Sequence, residues 1–241
     1  MKIQLVSLYG DMNPNYQIAT VIDIINNSTA NLILFPGHIL RDVNDRIYVQ
    51  ESLTNDKVMA VIEMREDGIM GTPNELFIYR EGEFEDMYTS QVFTTADQVN
   101  GNAVLMEKLL DELPRRQFTC CKKRFTVLQC GESAIVSGKG EGEFRFKDNP
   151  ILNDRFQKIM DETDVFLNPI HTPQGRQNQI VKRRRVLSSG GRYYLSAACT
   201  KEWGQNLGLK SIQYICHDGK ELNIKPDIHE EEGYVSRIIE I

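Results

Sequence analysis

The sequence has no long hydrophobic run, which argues against a membrane-spanning helix. Its longest apolar stretches, near residues 32–36 and 58–62, are far shorter than the ~18–20 residues that cross a bilayer. Met1 and Lys2 are followed by only a few apolar residues before the polar segment GDMNPN, so no secretory signal core is present. We therefore expect a cytoplasmic protein with no membrane partner.

Cysteine is scarce and shows no pairing pattern. The five cysteines are an odd number and contain no Cys-x-x-Cys pair, which argues against a disulfide framework and against a zinc site. They lie at Cys120, Cys121, Cys130, Cys199 and Cys216. Most of them fall in apolar runs, where a thiol commonly packs as a small hydrophobic group. We expect no bound metal and no cofactor.

Positive charge is also in deficit. The formal net charge of −6 gives no general positive field for binding nucleic acid. The one basic run, KRRR at residues 182–185, would spread its four cations around a helix, and we interpret it as a solvated helix surface or a subunit contact. We expect no nucleic-acid partner.

The chain does contain an alternation of strands and helices, which predicts the α/β class. The apolar strand KIQLVSL is followed by a helical stripe of Ile18, Val21, Ile22 and Ile25 and then by the buried strand LILFP, a β-α-β unit. The strands KVMAVIEM and ELFIYR are joined by REDGIMGTPN, whose glycines and proline predict a hairpin connection. The predicted sheets therefore mix parallel and antiparallel strands.

The same alternation continues to the last residue. We predict helices over residues 101–113, from Pro150 onward and over 177–187, each paired with an apolar strand. These strands are RFTVLQC, DVFLNP, RYYLSAAC and SIQYIC, and a turn at HDGK leads to the strand ELNI before the last strand, YVSRIIEI. No linker or repeat interrupts the chain, so we predict a single domain over residues 1–241.

Three blocks end an apolar strand with small, polar or reactive residues: LILFPGHIL, TVLQCGES and VFLNPIHTP. In α/β proteins ligands collect where strands end, because side chains there are held by the sheet and still reach solvent. Cys130 in the middle block is the candidate nucleophile, since a cysteine on a tight turn before Gly131 can attack a carbonyl held by nearby backbone N–H groups. A buried structural thiol is the alternative.

These blocks resemble the carbon–nitrogen hydrolase, or nitrilase, superfamily in their order along nearly the whole chain. LILFPG is similar to that family's strand ending in Phe-Pro-Glu, VLQCGE to its Cys-x-Glu segment, and DVFLNPIHTP to its Asp-x-x-x-Asn-Pro segment. The resemblance implies a four-layer α-β-β-α sandwich with mixed sheets that forms a homodimer or higher homo-oligomer. It also implies an active site in which Glu, Lys and Cys cleave a small amide or nitrile.

Two of these three catalytic residues are missing from the matching positions. Gly37 stands where the family has the glutamate and has no side chain to move a proton. The segment MYTSQVF matches the family's lysine region but contains no lysine, and Thr89 or Ser90 takes its place. Ser188 falls near a further glutamate of the family. Loss of one member of a cooperating catalytic set costs orders of magnitude in rate, so Cys130 alone would not sustain the usual mechanism.

Other polar residues near the three blocks are candidates to replace the missing groups. His38 is a candidate base, although neighbouring strand residues point to opposite faces, and local hydrogen bonding is its alternative role. Glu132 would share the side of Cys130 if the chain stayed extended, and would orient a substrate amine or accept backbone hydrogen bonds. Our predicted catalytic residues are thus Cys130, His38 and Glu132, with a substrate-binding set of Gly37, Ser90, Gly131, Asn168 and His171.

Two functional hypotheses follow from this pattern. The first is a hydrolase-like protein that acts on a carbon–nitrogen bond of a small amide through Cys130, with altered acid–base partners. The second is a catalytically silent protein of the same fold that binds a small molecule or a protein partner. Retention of the cysteine favours the first hypothesis, and loss of the Glu and Lys favours the second.

Overall fold

The computed structural model describes residues 1–10, 12–65, 75–138, 149–171, 178–200 and 212–241. The helices are α1 Pro14–Asn27, α2 Val43–Ser52, α3 Ala96–Val99, α4 Ala103–Glu112, α5 Pro150–Asp161 and α6 Asn178–Ser188. The strands are β1 Lys2–Leu8, β2 Leu32–Leu34, β3 Met59–Met64, β4 Glu75–Arg80, β5 Glu83–Ser90, β6 Gln117–Cys120, β7 Lys123–Val127, β8 Val165–Ile170, β9 Tyr193–Ala198, β10 Gln213–His217, β11 Lys220–Glu221, β12 Asp227–His229 and β13 Tyr234–Glu240. Two 3₁₀ helices lie at Leu113–Arg116 and Cys130–Ile135.

The strands form two mixed sheets, as predicted. The first sheet has the order β12-β13-β1-β2-β3-β4-β5, and its central strands β1, β2 and β3 are parallel. The second has the order β11-β10-β9-β8-β7-β6, with β7, β8 and β9 parallel. The remaining neighbours in both sheets pair antiparallel. The carboxyl ends of β2 and β3, and those of β7 and β8, are therefore adjacent within their own sheets.

Alternation of side chains along the strands produces the layers. On β1, Leu5 belongs to the core between the sheets, whereas its neighbour Val6 packs with Val21 of α1 in the core of the first helical layer. On β8, Leu167 joins the core between the sheets, while Phe166 joins the core under the second helical layer. The order of layers is α-β-β-α, which confirms the predicted fold class.

The predicted helices appear where apolar stripes coincide with capping residues. Asn13 caps α1 and Asn149 caps α5, each through a side-chain oxygen that accepts from a backbone N–H in the first turn. A proline follows each cap at the first helical position, where its missing N–H costs nothing. No helix in the described part of the chain is long and apolar enough to cross a bilayer.

Several elements differ from the sequence-based expectation. Helix α2 and strands β5 and β6 lack a strong apolar pattern and were not predicted. Strand β7 ends at Val127, three residues before Cys130. Of the predicted strand ELNI, only Glu221 lies in a strand, the two-residue β11 that it forms with Lys220. Strands β3 and β4 pair antiparallel as a hairpin requires, but the connecting residues 66–74 lie outside the described part. The single domain over 1–241 stays a prediction.

The basic run at residues 182–185 is only in part the solvated surface that we expected, and the alternative of a subunit contact stays a prediction. Arg183 is 8% exposed and its Nε donates to the Val136 carbonyl, while Arg184 is 2% exposed and lies over the Tyr214 ring. Only Lys182 and Arg185 face solvent. The stripe of α6 that faces the second sheet therefore carries two cations, a placement that composition alone does not favour.

A buried glutamine joins the two sheets. Gln213, on β10 of the second sheet, donates from Nε2 to the carbonyls of Leu5 and Val235 on strands β1 and β13 of the first, at 3.2 and 3.0 Å. Its Oε1 accepts from the guanidinium of Arg237 at 2.7 Å. Buried amides stabilise a fold only when their donors and acceptors are paired, and here both ends of the amide are paired.

We predict that Gln213→Ala lowers the free energy of unfolding by about 2–3 kcal/mol, because it leaves the Arg237 guanidinium without one of its buried acceptors. Gln157→Ala, on the exposed face of α5, is the matched control and should change it by less than about 0.5 kcal/mol. Urea unfolding followed by circular dichroism measures both. Equal effects of the two substitutions would contradict a structural role of the inter-sheet amide.

Candidate active site

Cys130 occupies a strained turn directly after the second sheet. Strand β7 ends at Val127, and Cys130 begins the 3₁₀ helix Cys130–Ile135 after two further residues. Its φ angle is 22°, a positive value that non-glycine residues rarely adopt. The residue is partly accessible. Strain of this kind clusters at functional sites and suits a nucleophile that must project from a sharp turn.

Gly131 allows this turn to pack closely against a neighbouring loop. A Cβ atom at position 131 would lie 1.8 Å from the carbonyl oxygen of Thr94, a backbone atom that cannot move aside on its own. Only glycine fits at this position without displacement of one of the two backbone segments. The predicted substrate-binding residue Gly131 is therefore required by packing, whatever its further role.

Asn168 holds the cysteine turn in place from the neighbouring strand. This fully buried residue of β8 donates from Nδ2 to the carbonyls of Leu128 and Cys130, the latter at 3.1 Å. Its Oδ1 accepts from the Tyr194 hydroxyl at 2.6 Å. Both ends of the amide are thus engaged by the protein, so this geometry supports a positioning role for Asn168 rather than direct substrate binding.

His171 links the cysteine to a carboxylate of the other sheet. It follows β8, and its Nε2 donates to Glu63 Oε2 at 2.9 Å, while the His171 side chain also lies within hydrogen-bonding reach of the Cys130 thiol. Glu63, on β3, is completely buried, and its other oxygen has no hydrogen-bond partner among the described residues. The three side chains form a Cys-His-Glu arrangement of the kind that activates a nucleophile.

The surroundings of His171 favour its protonated form. Burial is the largest influence on the His171 pKa and acts to lower it, but hydrogen bonds to Cys130 and Glu63 and the negative charges of these groups outweigh burial. Together these influences raise the His171 pKa from 6.5 to about 10. At neutral pH the site therefore favours an imidazolium next to the Cys130 sulfur.

The space left by the missing side chain of Gly37 is filled by this pair. A Cβ at position 37 would lie 2.1 Å from His171 Cδ2 and 2.6 Å from Glu63 Oε2. The backbone N–H of Gly37 donates to the carbonyl of Ile170 at 3.2 Å, which brings the end of β2 to the end of β8. Gly37 thus makes room for His171 beside Cys130.

His38, the predicted base, lies against His171. Its φ of 63° turns the chain away from the strand direction, and its ring stacks on the His171 ring with centroids 3.5 Å apart and an angle of 18° between the planes. The stacked ring limits the rotation of the His171 imidazole and covers one of its faces. This placement supports a positioning role for His38 and makes His171 the better candidate for proton transfer.

Glu132 points away from Cys130 into a buried ion pair. The extended chain that would have aligned the two side chains is absent, because Cys130–Ile135 is a 3₁₀ helix. The Glu132 carboxylate pairs with Arg116 and also accepts from the N–H groups of Val92 and Gln129 at 2.7 and 2.8 Å. Glu132 and Arg116 are both fully buried, and their ion pair holds the turn at Cys130 in place from the protein interior.

Arg116 also contacts Thr89 and Ser90, the residues at the position of the absent lysine. Its Nε donates to Thr89 Oγ1 at 2.8 Å and one Nη donates to the backbone carbonyl of Ser90 at 2.7 Å. Since its charge is paired with Glu132, this arginine does not supply a free cation for a substrate oxyanion. The cation that the described residues place beside the sulfur is His171.

The sequence-based prediction did not include Glu63. The sequence feature that could have indicated Glu63 is the presence of an acidic residue inside the apolar strand KVMAVIEM. A carboxylate is rarely fully buried unless it is paired. The prediction named Cys130 and His171, which the structure brings together, together with Gly37 and His38, which adjoin His171. Ser90, Asn168 and Glu132 belong to the surrounding hydrogen-bond framework.

Comparison with known proteins supports the fold. Neither a protein-family model nor a curated protein matches the sequence. Among solved structures, the NitN amidase from Neterenkonia sp. AN1 is 12% identical with a TM-score of 0.57 over 98% of this chain and 92% of its own. A mutant of the Nesterenkonia AN1 amidase from the nitrilase superfamily is 12% identical with a TM-score of 0.56, over 98% of this chain and 90% of its own.

A larger enzyme contains the same fold. The glutamine-dependent NAD(+) synthetase from Cytophaga hutchinsonii is 13% identical with a TM-score of 0.58, and the match covers 99% of this chain. This chain spans 42% of the length of that synthetase. The likeness to these structures confirms the nitrilase-like fold that the sequence motifs implied.

We predict that Arg116→Met lowers the free energy of unfolding by about 3–5 kcal/mol, because it leaves the Glu132 carboxylate buried without its cation. Arg115→Met is the matched control at the adjacent, exposed position and should cost less than about 1 kcal/mol. Denaturant titration compares the two variants. A cost for Arg116→Met no greater than that for Arg115→Met would contradict the bracing role of the buried pair.

We predict that Gly37→Ala slows alkylation of Cys130 by iodoacetamide at pH 7 by about tenfold or more, because the added methyl displaces the His171 ring. The measurement uses a Cys121→Ser background, since Cys121 is the exposed cysteine, and mass spectrometry to assign the modified residue. Introduced into a His171→Gln protein, the same substitution should have little further effect. An unchanged rate for Gly37→Ala alone would show that the two sites are independent.

Proposed function

We propose that this chain cleaves the carbon–nitrogen bond of a small amide, with Cys130 as nucleophile and His171 as the group that transfers protons. The observation that carries the proposal is the position of His171, 2.9 Å from the buried Glu63 carboxylate and within hydrogen-bonding reach of the Cys130 thiol. In this assignment Glu63 and His38 orient His171, and Glu132 positions the cysteine turn through Arg116.

The first half of the reaction forms an acyl-enzyme. The Cys130 thiolate attacks the amide carbon, a sulfur–carbon bond forms, and the carbonyl π electrons move to the oxygen. His171 then gives its proton to the amide nitrogen as the carbon–nitrogen bond breaks, so that ammonia leaves and a thioester remains. Protonated His171 also places positive charge near the developing oxyanion at the outset of this step.

The second half returns the enzyme to its starting state. Neutral His171 accepts a proton from a water molecule, whose oxygen attacks the thioester carbon. The sulfur–carbon bond then breaks, and the carboxylic acid leaves with Cys130 restored as the thiolate and His171 as the imidazolium. Glu63 holds the imidazole in one orientation throughout, since its Oε2 fixes the Nε2–H.

Structural neighbours support a small amide as the substrate class. Several are amidases, and one mutant of the Nesterenkonia sp. AN1 amidase carries the acetamide moiety of fluoroacetamide at its active-site cysteine. Another is described in complex with butyramide. A homo-oligomer and a cytoplasmic location stay predictions for this chain.

We expect the purified protein to release ammonia from short aliphatic amides such as butyramide, and Cys130→Ser to abolish this release. His171→Gln and Glu63→Gln should each lower kcat/KM by about 10²-fold or more, since they remove the proton-transfer group or its orientation. Cys121→Ser is the matched control and should retain full activity, because this exposed cysteine lies in the β6–β7 turn. Ammonia is measured with a coupled assay against a no-enzyme blank.

The pH dependence gives a second readout of the same prediction. Because the His171 pKa is raised to about 10, turnover should fall as the pH rises through this value and the imidazolium is lost. The same proton stabilises the fold: its contribution is fully present below about pH 6.5, the ordinary value in the unfolded chain, and is lost as the pH approaches 10. His171→Gln should remove this part of the pH dependence of unfolding.

Two results would count against catalysis. Absence of turnover for a panel of amides, together with alkylation of Cys130 at the rate of an ordinary exposed thiol, would favour the catalytically silent alternative. Turnover that survives Cys130→Ser would show that another residue carries the reaction.

A further inference from the structure

A second cavity lies between helix α6 and the β10–β11 hairpin. Its volume is about 360 Å³, and its lining includes none of the residues of the candidate active site. Val181 of α6 and the buried Tyr214 and Cys216 of β10 supply apolar walls. The size falls within the range of pockets that hold small organic molecules.

Arg184 is buried in this cavity, and it forms no ion pair among the residues that the structure describes. It is 2% exposed, and its guanidinium carbon lies 3.2 Å from the centre of the Tyr214 ring. Within the described part of the chain, none of its three nitrogens makes a hydrogen bond that meets normal geometry, and the Tyr194 hydroxyl is a nearby polar group that interacts weakly with the guanidinium. The ring contact engages the positive charge but satisfies none of the N–H groups, and unsatisfied buried donors are costly.

The described residues that line the cavity do not balance the charge of Arg184. Arg185 and Lys220 add two more cations to the cavity lining, which contains the single carboxylate of Glu221. Burial raises the pKa of Cys216 to about 11 and that of Tyr194 to about 12, in both cases against the opposing charge of Arg184, so these groups are neutral at pH 7. The described lining thus carries an excess of positive charge around an unsatisfied guanidinium.

We propose that this cavity binds a small oxyanion, the carboxylate or phosphate group of a small molecule, whose oxygens accept hydrogen bonds from Arg184. Guanidinium groups bind both kinds of oxyanion through paired N–H donors. The solvent-exposed side chains of Arg185 and Lys220 add attraction at the cavity mouth. The apolar walls formed by Val181 and Cys216 favour an anion with a short apolar part.

Thermal unfolding of the full chain tests this proposal with inorganic phosphate, butyrate and benzoate, each titrated at constant ionic strength against sodium chloride. At about 100 times its dissociation constant, a bound anion should raise the Tm by about 5–10 °C in a saturable manner. A shift with phosphate alone assigns the site to phosphate groups, and a shift with butyrate or benzoate assigns it to carboxylates. Either result supports the oxyanion site.

Substitutions then locate the site. Arg184→Met should abolish the anion-dependent shift and leave the Tm without anion equal to or above that of the wild type, because it removes an uncompensated buried charge. Lys182→Met, on the exposed face of the same helix, is the matched control and should retain the shift. If Arg184→Met does not fold, the exposed Lys220→Gln variant serves instead and should weaken anion affinity about three- to tenfold by calorimetry.

Three results would overturn the proposal. One is the absence of a saturable shift with any of the three anions. Another is an equal shift in the wild type and in Arg184→Met. The third is a wild-type oligomer that Arg184→Met dissociates, seen by sedimentation without any anion effect, which would assign the cavity to a contact between copies of the chain. None of these substitutions alters a residue of the candidate active site. Failure of the anion-binding proposal therefore leaves the amide-cleavage proposal unaffected, and failure of the amide-cleavage proposal leaves the anion-binding proposal unaffected.

Discussion

The hydrogen bond between His171 and Glu63 is the contact on which the candidate site depends, because it joins the two sheets where their strands end. Glu63 belongs to β3 of the first sheet, whereas His171 and Cys130 follow neighbouring parallel strands of the second. Each sheet is held internally by its strand ladder and its own helical layer, so the relative position of the sheets sets the distance between carboxylate and sulfur. The backbone bond from Gly37 to Ile170 and the Gln213 amide hold that position from two other places.

The absence of a side chain at position 37 and the position of the His171–Glu63 pair depend on each other. A Cβ at this position and the His171 imidazole would occupy the same space, so the chain can have one but not the other. The carboxylate that the family resemblance places at the end of β2 is thus supplied from β3, the next strand of the same sheet. In the proposed mechanism this carboxylate acts on the sulfur through the imidazole, so that the histidine transfers the proton and the carboxylate orients it.

Sequence reasoning succeeded where local pattern determines structure and failed where distant residues meet. Side-chain alternation and capping residues are encoded within a few positions, so the strands around Cys130 and helix α5 were predictable. Glu63 and His171 are 108 residues apart, and no local pattern signals their contact. Glu132 does not share the direction of Cys130, because the chain turns into a 3₁₀ helix at Cys130, and its carboxylate accepts backbone hydrogen bonds, the alternative role that the sequence left open.

The buried side chains of Arg116, Glu63 and Arg184 differ in how completely the protein compensates their charges. A fully compensated charge serves the fold, whereas an incompletely compensated charge is a candidate for a role in function. Arg116 directs its nitrogens to Glu132, Thr89 and Ser90, so its charge is satisfied inside the protein and serves the fold. Among the described residues Glu63 has one partner, His171, and the strength of that pairing depends on the protonation of a residue that also faces the sulfur. Arg184 lies over the Tyr214 ring and near the Tyr194 hydroxyl, and among the described residues none of its nitrogens makes a hydrogen bond of normal geometry. A buried cation in that state destabilises the free protein, and an apolar side chain of similar volume would avoid the cost. Among the described residues this guanidinium makes no hydrogen bond of normal geometry, and under the proposed anion binding an acceptor from outside the chain offsets the cost.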